Sequence, residues 1–449
     1  MGWPKIKKYF ISFFLCCTVI GNILARELTL DDFISEALTN NYDIRIIRQE
    51  VKEAGGTKRE LWGNFFPAFS ASYNQLYMDK VQQVDFEMPL VTPSGDIIYE
   101  KVDIEMGQKD IYEAKLSLQQ PVFTFGAISN SYKISKKALN IQKKKQSRAK
   151  IELIPEVRKA FYRVIMAQDM VDIYQKQKEL MEDNLKMANE LYRSGKVSHL
   201  DTGRMEVQVA RAKSGIVNTQ SNLEKAREVL FNLAGMENSK PEIKGELIYK
   251  DFNFNLDELE TRALKNRIEL DIARRGTEIK KLKKKLSRSE NLPKIYAYGN
   301  YTWEKPYQNR DEWGDYWTVG GRVEFPFLDG LSSLGRSKRR EAALEKSKIY
   351  TDKLKAAIKL QLRNSFYSLR EAEENIEVQE KNLDQLKENL KVARKRYSRG
   401  LIDSMELNQS VLEYTRGKKE LTGSKFNYLS AAENLKIAVG DKLNTGQLR

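Results

Sequence analysis

The pattern of apolar and polar residues predicts four β-strands in this chain, at about 67–78, 108–123, 293–304 and 315–328. The first and third are rich in Tyr, Phe and Trp with a less clear phase, whereas apolar and polar residues alternate clearly in the second and the fourth. In the last of them one face carries the apolar side chains, namely Trp317, Val319, Val323 and Phe325. Thr318, Arg322 and Glu324 fall on the opposite face. Each strand has roughly the 10 residues that a tilted strand needs to cross a bilayer. The alternation therefore predicts a sheet that is apolar on one side only.

After each pair of strands the apolar positions step by three and four, which predicts long helices with coiled-coil seams. Two helical hairpins are expected, at about 128–235 and 332–440. The clearest seams run through Ile376, Gln379, Leu383, Leu386, Leu390, Ala393 and Tyr397, and through Leu407, Val411, Tyr414, Leu421, Tyr428, Leu435 and Val439. The positions that match the first seam in the earlier hairpin are Val171, Tyr174, Lys178, Met181, Leu185, Ala188 and Tyr192. Pro155 predicts a kink or a break in the first long helix.

The two hairpins repeat one another in sequence. LYRSGKVSHLDT, from Leu191 to Thr202, matches RYSRGLIDSMEL, from Arg396 to Leu407, at an offset of 205 residues. LTLDDFISEALTNN at 28–41 matches FNLDELETRALKNR at 254–267, at an offset of 226. An acidic insert between about Tyr77 and Gln108 accounts for the difference, and we expect it to form an extended surface hairpin. The chain therefore reads as a tandem duplication, with copies at 26–250 and 251–449.

Residues 1–25 resemble a secretory signal peptide, with Lys5, Lys7 and Lys8 before a short apolar core. An uncleaved N-terminal anchor is the alternative, although the apolar run is shorter than a spanning helix requires. Both cysteines, Cys16 and Cys17, lie in this segment, so no disulfide or thiolate metal site is expected in the processed chain. The exported product would be periplasmic, secreted, or held in an outer membrane by its strands.

Composition and motifs argue against an enzyme. The chain of 449 residues has a formal charge of +15 and a single histidine, His199. It contains none of the common nucleophile, nucleotide or zinc-protease motifs, so we predict no catalytic residue, no cofactor and no metal. Its basic runs are expected to form solvated helix faces near lipid headgroups and not a nucleic-acid site. Four strands cannot close a barrel alone, whereas two chains would supply eight strands and three would supply twelve.

The order and doubled spacing of these motifs resemble the TolC-like outer-membrane efflux proteins. The resemblance rests on LTLDDFISEALTNN, the strand entries FFPAFSAS and NLPKIYAY, QPVFTFG and FPFLDG, and the two Tyr-x-x-Gly turns. It implies a mostly α fold with membrane β: a homotrimer with a 12-stranded barrel continuous with a periplasmic α-helical barrel. It also implies a location in the outer membrane of a Gram-negative-type cell. The implied partners are a periplasmic adaptor and a proton-driven or ABC-type inner-membrane pump, and the exported cargo would be drugs, ions or secreted proteins.

The same resemblance places two functional sites at the helical turns. The adaptor-docking tips would be Gly195, Lys196, Val197, Gly400, Leu401 and Ile402. The tunnel-entrance constriction would be Asp201, Arg204, Glu406 and Gln409. Gln409 replaces the family's second acidic residue, and Arg204 stands at the matching place in the first copy, so a contact between Arg204 and Glu406 is possible.

Two alternatives remain open from the sequence. Ser198-x-x-Asp201 and Asp403-x-x-Glu406 both have the spacing of a capping box, so Asp201 and Glu406 could cap helices instead of, or as well as, gating a tunnel. A soluble periplasmic coiled-coil scaffold or adaptor would also contain long heptad helices. Such a protein would have no need of four membrane-length strands with one apolar face.

Overall fold

A computed structural model describes residues 28–106, 108–236, 241–249, 255–308, 310–327 and 329–440. The predicted signal segment, 1–25, lies outside these ranges. The described chain is mostly helical, with eight helices: α1 Leu30–Asn40, α2 Tyr42–Gly63, α3 Ala127–Arg193, α4 His199–Ala234, α5 Leu256–Asn266, α6 Ile268–Ser289, α7 Ser332–Ser398 and α8 Ser404–Val439. Its six strands are β1 Ala68–Tyr77, β2 Gln82–Val91, β3 Ile97–Met106, β4 Asp110–Phe123, β5 Lys294–Lys305 and β6 Gly314–Glu324.

Corresponding helices of the two halves have equal lengths. α3 and α7 each have 67 residues, and α4 and α8 each have 36. α1 and α5 have 11 residues each, and α2 and α6 have 22. The bond from the short helices to the hairpin ends also recurs: Asn41 Nδ2 donates to the Leu233 carbonyl at 3.0 Å, and Arg267 donates to the Ala438 carbonyl at 3.0 Å. The donors Asn41 and Arg267 are related by the 226-residue offset, and the acceptors Leu233 and Ala438 by the 205-residue offset.

The chain divides into two compact units, and the helical unit comprises the described parts of residues 1–49, 144–270 and 353–449. Three apolar clusters form its core. One surrounds Phe33, Phe161 and Phe231, and a second surrounds Leu362, Tyr428 and Leu435. The third, which we call the tip cluster, comprises Met181, Ala188, Leu191, Met205, Val209, Leu390, Ala393, Tyr397, Ile402, Leu407 and Val411. Because the tip cluster draws on α3, α4, α7 and α8, it joins the two hairpins directly.

Of the kink or break predicted at Pro155, the break is wrong, because α3 remains helical through this residue. Proline removes one backbone hydrogen bond of the helix and costs about 3 kcal/mol in a helix interior. Leu153, Val157 and Phe161, on either side of it, are buried in the first core cluster. Burial of these flanking side chains offsets the local cost and holds the helix together.

The seam predicted for α3 is only partly right. Val171, Met181 and Ala188 are buried as expected, but Tyr192 is 45% exposed. Gln177, Asn184 and Leu191 are buried in addition, one residue away from the predicted positions. This happens because α3 packs against the second hairpin as well as against α4, so it buries a wider face than one heptad seam. The seams predicted for α7 and α8 are buried or half-buried throughout.

The other unit, residues 50–143 and 271–352, contains a four-stranded antiparallel sheet in the order β1-β4-β5-β6. The acidic insert forms a separate two-stranded hairpin, β2 with β3. Residues that are directly opposite one another in an antiparallel sheet point to the same face. The pairs Ala71↔Leu116, Leu116↔Tyr301 and Tyr301↔Trp317 therefore place one apolar row across all four strands.

Neighbouring rows extend this apolar face over the whole sheet. Its exposed members include Phe69, Tyr73, Tyr77, Leu116, Trp317, Val319 and Val323, which are 50–77% exposed. The opposite face is polar and carries cross-strand hydrogen bonds, from Asn74 to Glu113 at 3.2 Å and from Asn300 to Thr318 at 3.2 Å. β1 and β6 are the edge strands of this sheet. None of the described helices combines the length and apolar character of a membrane-crossing helix.

Candidate functional site

The two helical hairpins reverse through turns of the same construction. Gly195 has a φ of 70° and Gly400 a φ of 73°, in the left-handed region that glycine adopts without strain. Gly195 N–H donates to the Tyr192 carbonyl and Lys196 N–H to the Leu191 carbonyl, both at 2.9 Å. The matching bonds at Gly400 and Leu401 measure 2.9 and 3.0 Å. This pair of bonds is the Schellman motif, which ends a helix at a fixed residue.

The helices that follow the turns are capped in two different ways. In the first turn the Asp201 carboxylate accepts from both the backbone N–H and the hydroxyl of Ser198, at 3.1 and 2.8 Å, and completes a capping box. In the second, Asp403 accepts from the N–H groups of Met405 and Glu406, at 3.1 and 2.9 Å. Glu406 does not return a bond to the Asp403 backbone. The capping role considered for Asp201 is therefore present, whereas the one considered for Glu406 is not.

Asp201 also joins one hairpin to the other. The Ser404 hydroxyl, at the start of α8, donates to its carboxylate at 2.7 Å. Ser404 is fully buried. Hydrogen bonds from Ser404 and Ser198, with the nearby Arg204 charge, lower the pKa of Asp201 from its ordinary value of 3.8. A lowered carboxyl pKa stabilises the folded state above pH 3.8, and this contribution is lost as the pH falls through the lower folded value.

Tyr397 lies beneath this link and is fully buried in the tip cluster. Among the described residues its hydroxyl has no hydrogen-bond partner. Burial raises its pKa, and the charges of Asp201 and Asp403 raise it further. The matching residue of the first copy, Tyr192, is 45% exposed and packs on His199 instead. The turn of the second hairpin is thus the more tightly anchored.

The other predicted constriction residues lie on the exposed side of the tip. Glu406 forms its ion pair with Arg396, at 3.3 Å, within its own hairpin. Gln409 donates to Glu413 at 2.8 Å, one turn further along α8. Arg204 is exposed and, within the described chain, is not the ion-pair partner of Glu406. Within one chain the structure therefore connects Asp201 with Ser404 and does not connect Arg204 with Glu406.

The predicted docking residues differ in accessibility. Leu401 is 63% exposed, and Lys196 and both glycines are also exposed. Ile402 is only 9% exposed and belongs to the tip cluster, against which Val197 also packs. Ile402 and Val197 thus support the turns from inside, and Leu401 and Lys196 form the accessible surface. No cluster of potential metal ligands occurs in the described part of the chain.

Sequence analysis missed Ser404, because nothing in the local pattern distinguishes it from an ordinary first-turn serine. Arg396 was missed as the partner of Glu406 for a related reason: ten residues separate the two, and only the turn between them brings them together. The Schellman turn reverses the chain, so that residues at this separation can form an ion pair. Tyr397, in contrast, was already indicated by its place at the end of the α7 seam.

Comparison with known proteins gives one consistent result. The profile of the family described as "Outer membrane efflux protein" matches residues 33–236 and 260–441. The alkaline protease secretion protein AprF of Pseudomonas aeruginosa is 22% identical over 345 residues, which cover 74% of this chain and 70% of AprF.

Solved structures with the same fold include CusC, at 14% identity and a TM-score of 0.75, covering 94% of this chain and 95% of CusC. The outer membrane channel CmeC of Campylobacter jejuni is 13% identical with a TM-score of 0.74, over 93% of this chain and 88% of its own. The MtrE outer membrane channel of Neisseria gonorrhoeae, solved in an open state, is 14% identical with a TM-score of 0.74, over 92% and 89%. At these identities the likeness concerns the fold.

Proposed function

Because this chain belongs to the outer membrane efflux protein family, we propose that it forms a passive trimeric duct that exports cargo across the outer membrane. In this proposal three chains pool their strands in one twelve-stranded barrel, and their hairpins form a periplasmic tunnel. An adaptor docks at the tips, and an inner-membrane pump, proton-driven or ABC-type, supplies the energy. The family is one of transport ducts, and a duct needs no catalytic residue.

The exposed apolar face of the sheet is the observation that carries the proposal. The exposed side chains of this face, which include Tyr73, Leu116, Trp317 and Val319, would be in water in a soluble monomer. At ~25 cal/mol per Å² of apolar surface, leaving several such side chains in water forfeits a large part of the stability of a sheet. Lipid removes that cost, and the polar opposite face suits a water-filled lumen. The open edges at β1 and β6 would be closed by strands of neighbouring copies.

The same observation argues against the alternative of a soluble coiled-coil scaffold. Such a scaffold would bury the apolar face of the sheet against its own helices. In this chain the apolar face is exposed, with Val319 at 76% and Trp317 at 70%. Long heptad helices are common to both functions, so only the sheet discriminates between them.

For the cargo, the named relative favours secreted protein among the three classes that the resemblance implies. AprF is described as an alkaline protease secretion protein, and it matches this chain over most of both sequences. We therefore place a polypeptide first among the cargo classes, before drugs and ions. The duct itself contributes a polar lumen and no nucleotide-binding motif, so the choice of cargo rests with the pump and the adaptor.

We further propose that the link from Ser404 to Asp201 keeps the tunnel entrance narrow. A hydrogen bond to a charged group contributes about 1.5–3 kcal/mol, and this one joins the two hairpins at their tips. Ser404→Ala should therefore raise the single-channel conductance of the purified protein in a planar bilayer. Glu406→Gln should raise it less, because the pair of Glu406 with Arg396 is exposed and such pairs contribute only ~0–1 kcal/mol. Arg204→Gln should also raise it less, because the Arg204 side chain is exposed.

Glu388→Gln on α7 is the matched control, since Glu388 forms an exposed ion pair with Lys391 on the same helix. Its conductance should equal that of the unmodified protein. If Ser404→Ala also leaves the conductance unchanged, the entrance is not held by this link. If no variant conducts at all, the duct itself is refuted.

Docking at the tips predicts a separate phenotype for Gly400→Val. A side chain in the left-handed conformation costs about 1–2 kcal/mol, so valine should distort the turn that presents Leu401. Export should be lost while trimers still assemble, because, apart from the adjoining residues, nothing in the described chain lies within 4 Å of the position that a Cβ would occupy. Export of cargo into the medium and native electrophoresis of the extracted protein measure the two effects.

Gly203→Ala provides the comparison for Gly400→Val. Gly203 lies inside α4, close to the same tip, and a Cβ there also meets nothing within 4 Å. Alanine in a helix interior is favoured over glycine by up to about 1 kcal/mol, so export should continue. Unimpaired export by Gly400→Val would show that the turn is not the docking surface.

A further inference from the structure

One interface inside the chain joins α3 to α8. Arg158 pairs with Glu433 at 3.1 Å, and Lys159 donates to Asn434 at 3.2 Å. Further along, the Lys419 ammonium lies 5.0 Å from the centroid of the Tyr174 ring. A helix of the first copy is thus packed against a helix of the second, and we call this the internal interface.

At the internal interface, one segment of each helix is almost completely covered. Among the fifteen residues 153–167 of α3, only Glu156 and Arg163 are exposed. Among the fifteen residues 421–435 of α8, only Asn427 and Asn434 are exposed. Helices on the surface of a protein usually have one apolar stripe and a wide polar face. Coverage on nearly every side shows that α3 and α8 each contact neighbours on more than one face.

The equivalent segments, displaced by 205 residues, are open instead. Nine of the fifteen residues 358–372 of α7 are exposed, and so are nine of the fifteen residues 216–230 of α4. Leu360 and Tyr367 on α7 are 61% and 59% exposed, and Val217 and Val229 on α4 are 65% and 48% exposed. Large apolar side chains on both segments therefore face solvent in the single chain.

The charged pair of the internal interface has its counterpart on these two open segments. Arg363 stands where Arg158 stands in the first copy, and Glu228 stands where Glu433 stands in the second. The side chains of Arg158 and Glu433 are 12% and 3% exposed, whereas that of Arg363 is 55% exposed and Glu228 is exposed. One half of a second, matching interface thus lies on α7, and the other half lies on α4.

We propose that these open segments are the two sides of the subunit interface: α7 of one chain packs on α4 of a second copy, and Arg363 pairs with Glu228 of the partner subunit. The inference rests on the proposed trimer and assigns the residues that join its subunits. An interface whose two sides differ is head-to-tail, and it closes into a ring when the rotation between copies is a whole fraction of a turn, as it is in the proposed trimer. The internal interface is then the template for the subunit interface, since α3 and α8, the counterparts of α7 and α4, already pack in this way within one chain.

Arg363 can donate to the carboxylate of the partner subunit's Glu228 while keeping its hydrogen bond to Glu260. Its Nε donates to Glu260 at 2.6 Å, and a guanidinium has five N–H donors in a planar fork. The remaining contacts of the interface are not simple copies. Asn364 and Val229 replace Lys159 and Asn434, so the subunit interface is less polar at that level than the internal one.

Cysteine cross-linking tests the assignment. In a background with Cys16→Ala and Cys17→Ala, the double variant Arg363→Cys with Glu228→Cys is treated with a short bismaleimide on intact outer membranes. We expect a shift from one chain mass, 52.0 kDa before processing, to two and three chain masses. Each single variant should remain at one chain mass. The pair Arg158→Cys with Glu433→Cys should cross-link within the chain and cause no such shift.

The failure of this inference is distinguishable from failure of the proposed function. If native mass shows trimers but the double variant does not shift, α7 and α4 are not the joined faces and the inference is overturned. If no trimer exists, the proposed duct falls with it. Charge reversal provides a second readout: Arg363→Glu should lower the trimer content, and Glu228→Arg in the same chain should restore it. Loss without restoration also overturns the pairing.

Discussion

Arg158→Ala is expected to destabilise the helical unit by about 3–5 kcal/mol, the range found when one partner of a buried ion pair is removed. The substitution leaves the Glu433 carboxylate, 3% exposed, with Lys436 at 2.7 Å as its remaining ion-pair partner. Burial raises the pKa of Tyr162, the charge of Glu433 raises it further, and the charge of Arg158 opposes that rise. Without Arg158 that negative charge acts on its neighbours with less compensation.

The measurement for Arg158→Ala is the shift in denaturant midpoint, followed by helical circular dichroism of the detergent-solubilised protein. Arg416→Ala is the matched control on α8, because Arg416 pairs with Glu420 at 2.8 Å while its side chain is 77% exposed. Exposed pairs contribute only ~0–1 kcal/mol, so that variant should hardly change the midpoint. Equal shifts for the two variants would show that the buried pair does not hold the hairpins together.

Val319→Arg should abolish assembly into the outer membrane. Val319 lies in the middle of β6, opposite Gly299, and is 76% exposed on the apolar face. An arginine at the lipid-facing midplane of a barrel costs about 2–4 kcal/mol, and a trimer would incur this cost three times. The expected result is loss of the folded trimer from the membrane fraction, with unassembled chain in the periplasm.

Thr318→Arg is the comparison one residue away, on the opposite face of the same strand. Its hydroxyl accepts from Asn300 at 3.2 Å on the polar side of the sheet. An arginine there would face a water-filled lumen, where charged substitutions change selectivity more than stability. Assembly should continue. Identical behaviour of the two variants would mean that the faces of the sheet do not separate lipid from water.

Much of the architecture could be predicted from sequence because it depends on local periodicity. Gly195 and Gly400 indicated where the helices end, since few residues other than glycine adopt a positive φ there. Alternation around Trp317 indicated which strand face is apolar. The 205-residue offset pointed to two similar hairpins, and the structure gives their long helices equal lengths of 67 residues.

Other features depend on contacts that periodicity cannot encode. The bond from Ser404 to Asp201 joins residues that are 203 positions apart, and a capping pattern was the only local signal. Pro155 predicted a break because the rule considers the helix alone, whereas the buried cluster on either side of it decides the outcome. Glu406 fits a capping spacing, yet Arg396 attracts its carboxylate across the turn. The wider buried face of α3 likewise follows from a second neighbour.

The mass of the particle extracted from outer membranes tests the central claim most directly, namely that one chain cannot shield its own strands and must share a barrel with identical copies. Detergent should be needed to extract the protein, and native mass spectrometry of the extract should find a particle of three chains. The same particle should conduct in a planar bilayer. A single chain that dissolves without detergent would contradict the account.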